Sequence, residues 1–234
     1  MLDTYILKID RNIEKDDFDR LLSWVSEEKK ERISRFHRFE DAQRTLLGDV
    51  LARYAICKRL GIRNMDLVFG ANAYGKPVLH EPNGIHYNIS HSGNWVVCAV
   101  DDSVVGIDVE MIKPIDFKIA ERFFSRDEYI SFINQPEETK LMYFYMIWTL
   151  KESYIKTEGK GLCIPLNSFT IRMESNDISV SVGNEILEFY FYQSFLDSDT
   201  AYAVCAQNSN TNESIHWKIE SFLKEMQNIV FSQL

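Results

Sequence analysis

Hydrophobic and polar positions along this chain switch between two spacings, and the switch occurs twice in the same order. Tyr5, Leu7 and Ile9 alternate with polar neighbours, the period of a half-buried strand. From residue 14 to about 36 the charged sequence carries Phe18, Leu21, Leu22 and Val25 at helical spacing, which predicts one helix. A second predicted helix covers 40–60, with Leu46, Leu47, Val50, Leu51 and Tyr54 on one stripe and Gly61 placed to end it. Short strands are predicted at 67–69, 85–90, 95–100 and 104–110. A tight turn at Asp101-Asp102-Ser103 joins the last two.

The pattern then repeats. After a turn at Lys113-Pro114, helical spacing runs from Phe117 to about Ile133, and Ser125 with Glu128 forms a capping-box pattern inside it. Asn134-Gln135-Pro136 interrupts the helix, a long one follows over 138–158, and Gly159 and Gly161 stop it. Strands are predicted at 168–173, 178–182, 186–193 and 201–206. The tail fits both periods: Ile215, Trp217 and Ile219 alternate, whereas Phe222, Leu223, Met226 and Val230 space like a helix. Val97-Cys98-Ala99 is echoed by Val204-Cys205-Ala206 at matching places. The reading is an α+β fold, two similar halves (1–105 and 106–234) forming a pseudo-twofold monomer. An active site is expected at their junction, where pockets commonly form.

Composition narrows the function classes. The chain has 234 residues, 45% of them hydrophobic, so it is long and apolar enough for an ordinary globular core. A net charge of −9 argues against general nucleic-acid binding, although residues 29–44 hold a local basic excess. Cys57, Cys98, Cys163 and Cys205 lie far apart among apolar residues, which suggests buried free thiols in a reducing compartment. Met1-Leu2-Asp3-Thr4-Tyr5 has no basic start ahead of an apolar core, so no signal peptide is expected. The most apolar run, 141–150, is too short to cross a membrane. A cytoplasmic protein without membrane or nucleic-acid partners is expected.

The chemistry is concentrated in two segments. In Gly106-Ile107-Asp108-Val109-Glu110 a period of two places Asp108 and Glu110 on one strand face, and Gly106 suggests that something approaches closely. Two adjacent acids repel unless a cation sits between them. With no Cys/His cluster on offer, magnesium would suit them better than zinc, while a solvated acidic face would show the same spacing. In Trp148–Lys156, positions four apart put Trp148, Glu152 and Lys156 on one helix face, as either a charged surface pair or a phosphate grip. Lys151 points about 100° away, toward a different group. Asn88–Gly93 supplies small donors and one imidazole, His91, which suits a phosphate or ribose as well as it suits a polar turn. His37, His80, His86 and His216 have no such setting. Tyr74-Gly75-Lys76-Pro77 is a turn that could meet a flat ligand. Arg44 borders a buried helix stripe with Gly48 and Leu51, where a guanidinium could hold phosphate at two points.

Taken together, Arg44-Thr45-Leu46-Leu47-Gly48-Asp49, Tyr74-Gly75-Lys76-Pro77, Asn88–Gly93, Gly106–Glu110 and Trp148–Lys156 resemble the Sfp-type 4′-phosphopantetheinyl transferases in order and approximate spacing. The resemblance implies a magnesium-dependent enzyme, with manganese as a substitute ion, acting on coenzyme A and an apo peptidyl or acyl carrier protein. It further implies a place in nonribosomal peptide and antibiotic biosynthesis. The first half would grip coenzyme A, and the second would hold the metal and meet the carrier. By position, Asp108, Glu110 and Glu152 correspond to metal ligands, with Glu152 also a candidate base. Lys156 and His91 correspond to catalytic phosphate contacts, Lys151 and Ser90 to further ones. Lys29, Arg32, Arg44 and Thr45 correspond to the ribose 3′-phosphate grip, and Lys76 and Pro77 to the adenine end. The segment 161–169, with Leu162, Ile164 and Leu166, would face the carrier. A synthase restricted to acyl carrier protein, an inert coenzyme-A-binding module and a magnesium phosphohydrolase are the competing readings.

Overall fold

Each half lays one long helix across a sheet, and the two sheets meet face to face. The computed structural model describes residues 1–174 and 177–228. Its first half runs β1 (Asp3–Lys8), α1 (Lys15–Leu22), α2 (Glu27–Ser34), α3 (Phe39–Leu60), β2 (Val68–Ala71), β3 (Pro77–Glu81), β4 (His86–Ser92) and β5 (Trp95–Asp101). The second opens on β6 (Val105–Met111), then α4 (Lys118–Phe123), α5 (Arg126–Ile133) and α6 (Glu137–Glu158). It continues through β7 (Thr170–Glu174), β8 (Asp177–Val182), β9 (Glu185–Leu187), β10 (Tyr190–Asp197) and β11 (Thr200–Ala206), ending in β12 (Ile215–Lys218) and α7 (Ile219–Asn228).

Strand order is β12-β1-β5-β4 in one sheet and β10-β11-β6 in the other. Alternation along β5 explains the layering. Val96, Cys98 and Val100 face α3 and pack with Leu46, Leu47, Val50 and Leu51. Val97 and Ala99 face the opposite way, against Ile107, Val109, Val204 and Ala206 of the second sheet. Beyond that sheet, Ala201, Ala203 and Cys205 meet Ile147, Leu150 and Tyr154 of α6. The layers are thus α3, sheet, sheet, α6. The echoed tripeptides have the same orientation: Val97 and Val204 point between the sheets, Cys98 and Cys205 toward the long helix of their own half.

Several expected boundaries move, each for a local reason. The single helix over 14–36 is two, because Ser26 Oγ accepts from Lys29 N (3.3 Å) and starts α2, while Trp24 and Val25 are buried at the corner. Ser125 likewise begins a new helix instead of sitting inside one. Its hydroxyl accepts from Glu128 N (3.4 Å), and Glu128 Oε2 accepts from Ser125 N (2.7 Å), the reciprocal pair of a capping box. The strand expected over 186–193 is split into β9 and β10. β3, which the periodicity did not predict, pairs antiparallel with β2 just after the Tyr74–Pro77 turn.

Both periods in the tail are real, one after the other. β12 pairs parallel with β1, and α7 then buries Ile219, Phe222, Leu223 and Met226 in the first half's core. Residues 215–228 therefore pack on the first half although they end the second; Val230 lies outside the described residues. Cys57, Cys98 and Cys205 are buried free thiols, whereas Cys163 is exposed, contrary to the expectation of four buried ones. It ends a short 3₁₀ turn (Gly161–Cys163) just past the end of α6. No helix among the described residues is long and apolar enough to cross a membrane.

Candidate active site

The edge of β6 that β11 leaves open is covered by side chains of β4. Asn88 Oδ1 accepts from Ile107 N (2.9 Å), Ser90 Oγ from Val109 N (3.4 Å) and Ser92 Oγ from Met111 N (3.0 Å). A period of two on one strand meets a period of two on the other, so backbone donors at the junction are satisfied without a ladder. The same hydroxyls set the two acids: Ser90 donates to Asp108 Oδ1 (3.0 Å) and Ser92 to Glu110 Oε2 (3.0 Å). Gly106 explains how α6 comes close enough to join them. A Cβ there would run into Ser153 O and Thr157 N of that helix, so only glycine lets the strand approach. The close contact brings Glu152 and Lys156 over the same strand face.

Electrostatics mark the spot. Lys156 Nζ donates to Asp108 Oδ1 (2.6 Å), Ser90 Oγ (3.0 Å) and Ile107 O (3.2 Å). Asp108 is buried, and its other oxygen, Oδ2, has no partner at all. Burial first, and the Asp108 charge second, hold the Glu152 carboxyl above its ordinary value, with Lys156 opposing. Glu110 is raised in the same way by burial and by Asp108, and Glu152 adds to it. The three acids therefore feel one another. Among the described residues no three His, Cys, Asp or Glu side chains are already drawn together as metal ligands. Lys156 and Ser92 engage two of the acids, and like charges hold the three apart. An orphaned buried carboxylate oxygen in an all-oxygen donor set nevertheless fits a hard divalent cation.

The phosphate-type residues divide into two groups. His91 lies near Arg44; desolvation first, and then the positive charge of Arg44, hold its imidazole below the ordinary value, with Lys156 adding to this. Arg44 itself donates to Gly93 O (3.0 Å) and pairs with Asp41, and Thr45 follows it, half-buried, on α3. Lys29, Arg32 and Pro77 instead line a separate cleft of about 530 Å³, together with Asp49, Arg53, Phe69 and Tyr87. There Lys29 Nζ meets Asp49 Oδ1 at 3.2 Å, and Arg53 pairs with Asp49 Oδ2 at 2.6 Å while stacking on Phe69. Lys76 turns its charge aside. Its Nζ donates to Val105 O (3.2 Å) and Thr157 O (3.4 Å), and burial pulls it down to about 8.

Lys151 does not belong to the site. The expectation of a phosphate contact is overturned by its burial: its ammonium is fully enclosed, donates to both Glu128 oxygens (2.7 Å each) and to Phe169 O (2.9 Å), and has no donor left for a ligand. Glu128, read from the sequence only as a helix cap, is the other half of that pair. Of the apolar residues expected on the carrier side, Leu162 is 79% exposed, whereas Leu166 is buried and Ile164 packs against the core. The sequence reading also missed Ser92 and Asn88 as junction residues, although their period of two with Ser90 was visible. Asp49 was visible only as the end of the Arg44–Asp49 motif, and nothing in the sequence singled out Arg53.

Residues 12–103 match a family model described as 4′-phosphopantetheinyl transferase, N-terminal. Residues 104–220 match that of the 4′-phosphopantetheinyl transferase superfamily. The chain is 42% identical over 212 residues to the 4′-phosphopantetheinyl transferase ffp of Bacillus subtilis, covering 90% of this chain and 95% of that protein. It is 40% identical to the 4′-phosphopantetheinyl transferase Sfp of Bacillus subtilis, over the same shares of the two chains, 90% and 95%. Against the 4′-phosphopantetheinyl transferase gsp of Aneurinibacillus migulanus it is 39% identical, covering 92% and 90% respectively.

Proposed function

This chain belongs to the 4′-phosphopantetheinyl transferases, and on that footing we propose that it moves the 4′-phosphopantetheine group of coenzyme A onto a serine of an apo carrier protein. The observation that carries the reading is the Lys156–Asp108 pair where the halves join, with Glu110 and Glu152 close enough to feel the Asp108 charge, in a chain that also holds a basic cleft formed by Lys29 and Arg32. In the reaction a bond forms between the serine oxygen and the β-phosphorus. The bond from that phosphorus to the oxygen of 3′,5′-ADP breaks, and the nucleotide leaves.

Glu152 takes the serine proton in this reading. Lys156 offsets charge gathering on the phosphate oxygens and on the departing nucleotide. Ser90, His91, Arg44 and Thr45 flank the phosphates on the β4 and α3 side, while Lys29 and Arg32 hold the 3′-phosphate, with Pro77 against adenine. Asp108, Glu110 and Glu152 would hold magnesium, with manganese as a substitute, and a bound ion would supply Lewis-acid neutralisation of the pyrophosphate. We place the enzyme as a monomer in a reducing cytoplasm, a setting its four free thiols suit. Peptidyl carriers of nonribosomal peptide and antibiotic synthesis are the favoured partners, with acyl carriers as alternatives.

Incubation of the chain with coenzyme A, magnesium and a panel of apo peptidyl and acyl carriers tests this by mass spectrometry. One phosphopantetheine added per carrier is expected, on peptidyl carriers at least. Modification of acyl carriers alone would give the restricted synthase, and no addition to any carrier would overturn the transferase reading.

A further inference from the structure

The hairpin between β2 and β3 is bolted to the C-terminal end of α6, and one side chain makes most of the joint. Asn72 Oδ1 accepts from Tyr74 N (2.9 Å) and Lys76 N (3.0 Å), which holds the turn in shape. Asn72 N donates to Lys76 O (2.9 Å), and Gly75 N to Asn72 O (3.0 Å), closing the loop. Its other side-chain atom faces outward: Asn72 Nδ2 donates to Gly159 O (2.8 Å), the residue that ends α6 in a left-handed conformation with φ 71°. Lys76 adds a second tie through Thr157 O in the helix's last turn. Both donors satisfy carbonyls at the negative end of the helix dipole. The fit is tight, since a Cβ on Gly159 would lie 2.9 Å from Lys76 Cδ and 3.2 Å from Asn72 Nδ2.

The two ends of this joint do different work. Gly75 and Pro77 of the hairpin line the basic cleft, whereas α6 carries Glu152 and Lys156 one to two turns before Gly159. Tyr74, Gly75 and Pro77 also share a hollow of about 360 Å³ with Glu152 and Lys156. We propose that Asn72 is a positioning residue that fixes the nucleotide-binding hairpin to the helix bearing Glu152 and Lys156, so that the grip on coenzyme A sets the reacting phosphate against those two groups. The proposal rests on the transferase reading above.

Two substitutions at one position separate the roles. Asn72→Asp keeps an oxygen for Tyr74 N and Lys76 N but replaces the donor to Gly159 O with an oxygen that repels it. Asn72→Ala removes every contact. Each variant is assayed for kcat and KM with coenzyme A and an apo carrier, for 3′,5′-ADP affinity by calorimetry, and for thermal midpoint. With Asn72→Asp the affinity for 3′,5′-ADP and the KM should stay within about two-fold, while kcat falls about ten-fold, because a misplaced reacting group costs rate without costing binding. Asn72→Ala should lose affinity and kcat together. Gly159→Ala, which pushes on the joint from the helix side, should repeat the kcat-selective loss. Unchanged kcat in Asn72→Asp, or a loss that only tracks the folded fraction, would overturn the proposal. If the parental chain itself bound no 3′,5′-ADP and transferred nothing, the transferase reading would fail instead.

Discussion

Replacing Lys151 with methionine separates the role that its position suggested from the role that its burial dictates. The methionine keeps most of the apolar stem in place but removes an ammonium that is fully enclosed and shared between both Glu128 oxygens at 2.7 Å. Glu128 then remains buried with only Ser125 N and Ile171 N as donors. Removing one partner of a buried ion pair leaves an uncompensated charge and costs about 3–5 kcal/mol. With a urea slope of about 2–3 kcal/mol/M for a chain of this size, the unfolding midpoint should drop by about 1–2.5 M. The double variant Lys151→Met with Glu128→Gln should recover part of that loss, because no bare charge is left, although the amide oxygen can replace only one of the two carboxylate oxygens that accept from Ser125 N and Ile171 N. Equilibrium unfolding of the two single variants and the double variant gives the coupling. Steady-state assays at a temperature where all variants are folded should show KM for coenzyme A within about two-fold of the parental value, since no ligand contact is lost. A near-normal midpoint together with a steep rise in KM would refute this account and restore Lys151 to the phosphate site.

Other outcomes follow from the same geometry. Gly106→Ala should cost about 1–3 kcal/mol by overpacking β6 against α6 and should lower transfer with it; a stable, fully active variant would show that the approach is not tight. Glu110 is held above its ordinary value of 4.5 by burial and by Asp108, so its ionisation opposes folding at pH 7 and does not below 4.5. Glu110→Gln should therefore raise the urea midpoint of the metal-free chain at pH 7, and the gain should shrink as pH falls toward 4.5; a gain that grows in acid would reverse the sign. Arg32→Ala should raise KM for coenzyme A more than for 3′-dephospho-coenzyme A, and equal losses with both would remove it from the 3′-phosphate.

The sequence carried the long helices, the β4–β6 strands and the acidic pair because each rests on local spacing. Leu46 to Tyr54 can form little but a buried helical stripe, and alternation alone puts Asp108 and Glu110 on one face. Gly106 was legible as a place of close approach, though the approaching group turned out to be the backbone of α6 instead of a ligand. What failed depended on contacts distant in sequence. Lys151 precedes Glu152 on the helix, and only the arrival of Glu128 and Phe169 from other elements shows it to be buried. The Ser125 cap was legible through its box with Glu128, whereas helical spacing on either side hid the break at Ser26. The return of 215–228 to the first half was illegible because β12 pairs with a strand some two hundred residues earlier. Lys76 could be placed on its turn, but the sequence did not show that its charge would point at the end of α6.

The central claim is that Asp108, Glu110 and Glu152 act as one cation-holding set beside Lys156. It is tested most directly by measuring phosphopantetheine addition to an apo carrier after chelation and magnesium re-addition, with the parental chain and Asp108→Asn side by side. The expected result is no transfer under chelation, full recovery of the parental chain with magnesium, and no recovery of a folded Asp108→Asn. Equal transfer with and without chelator, or an Asp108→Asn chain that responds to magnesium as the parental one does, would contradict it.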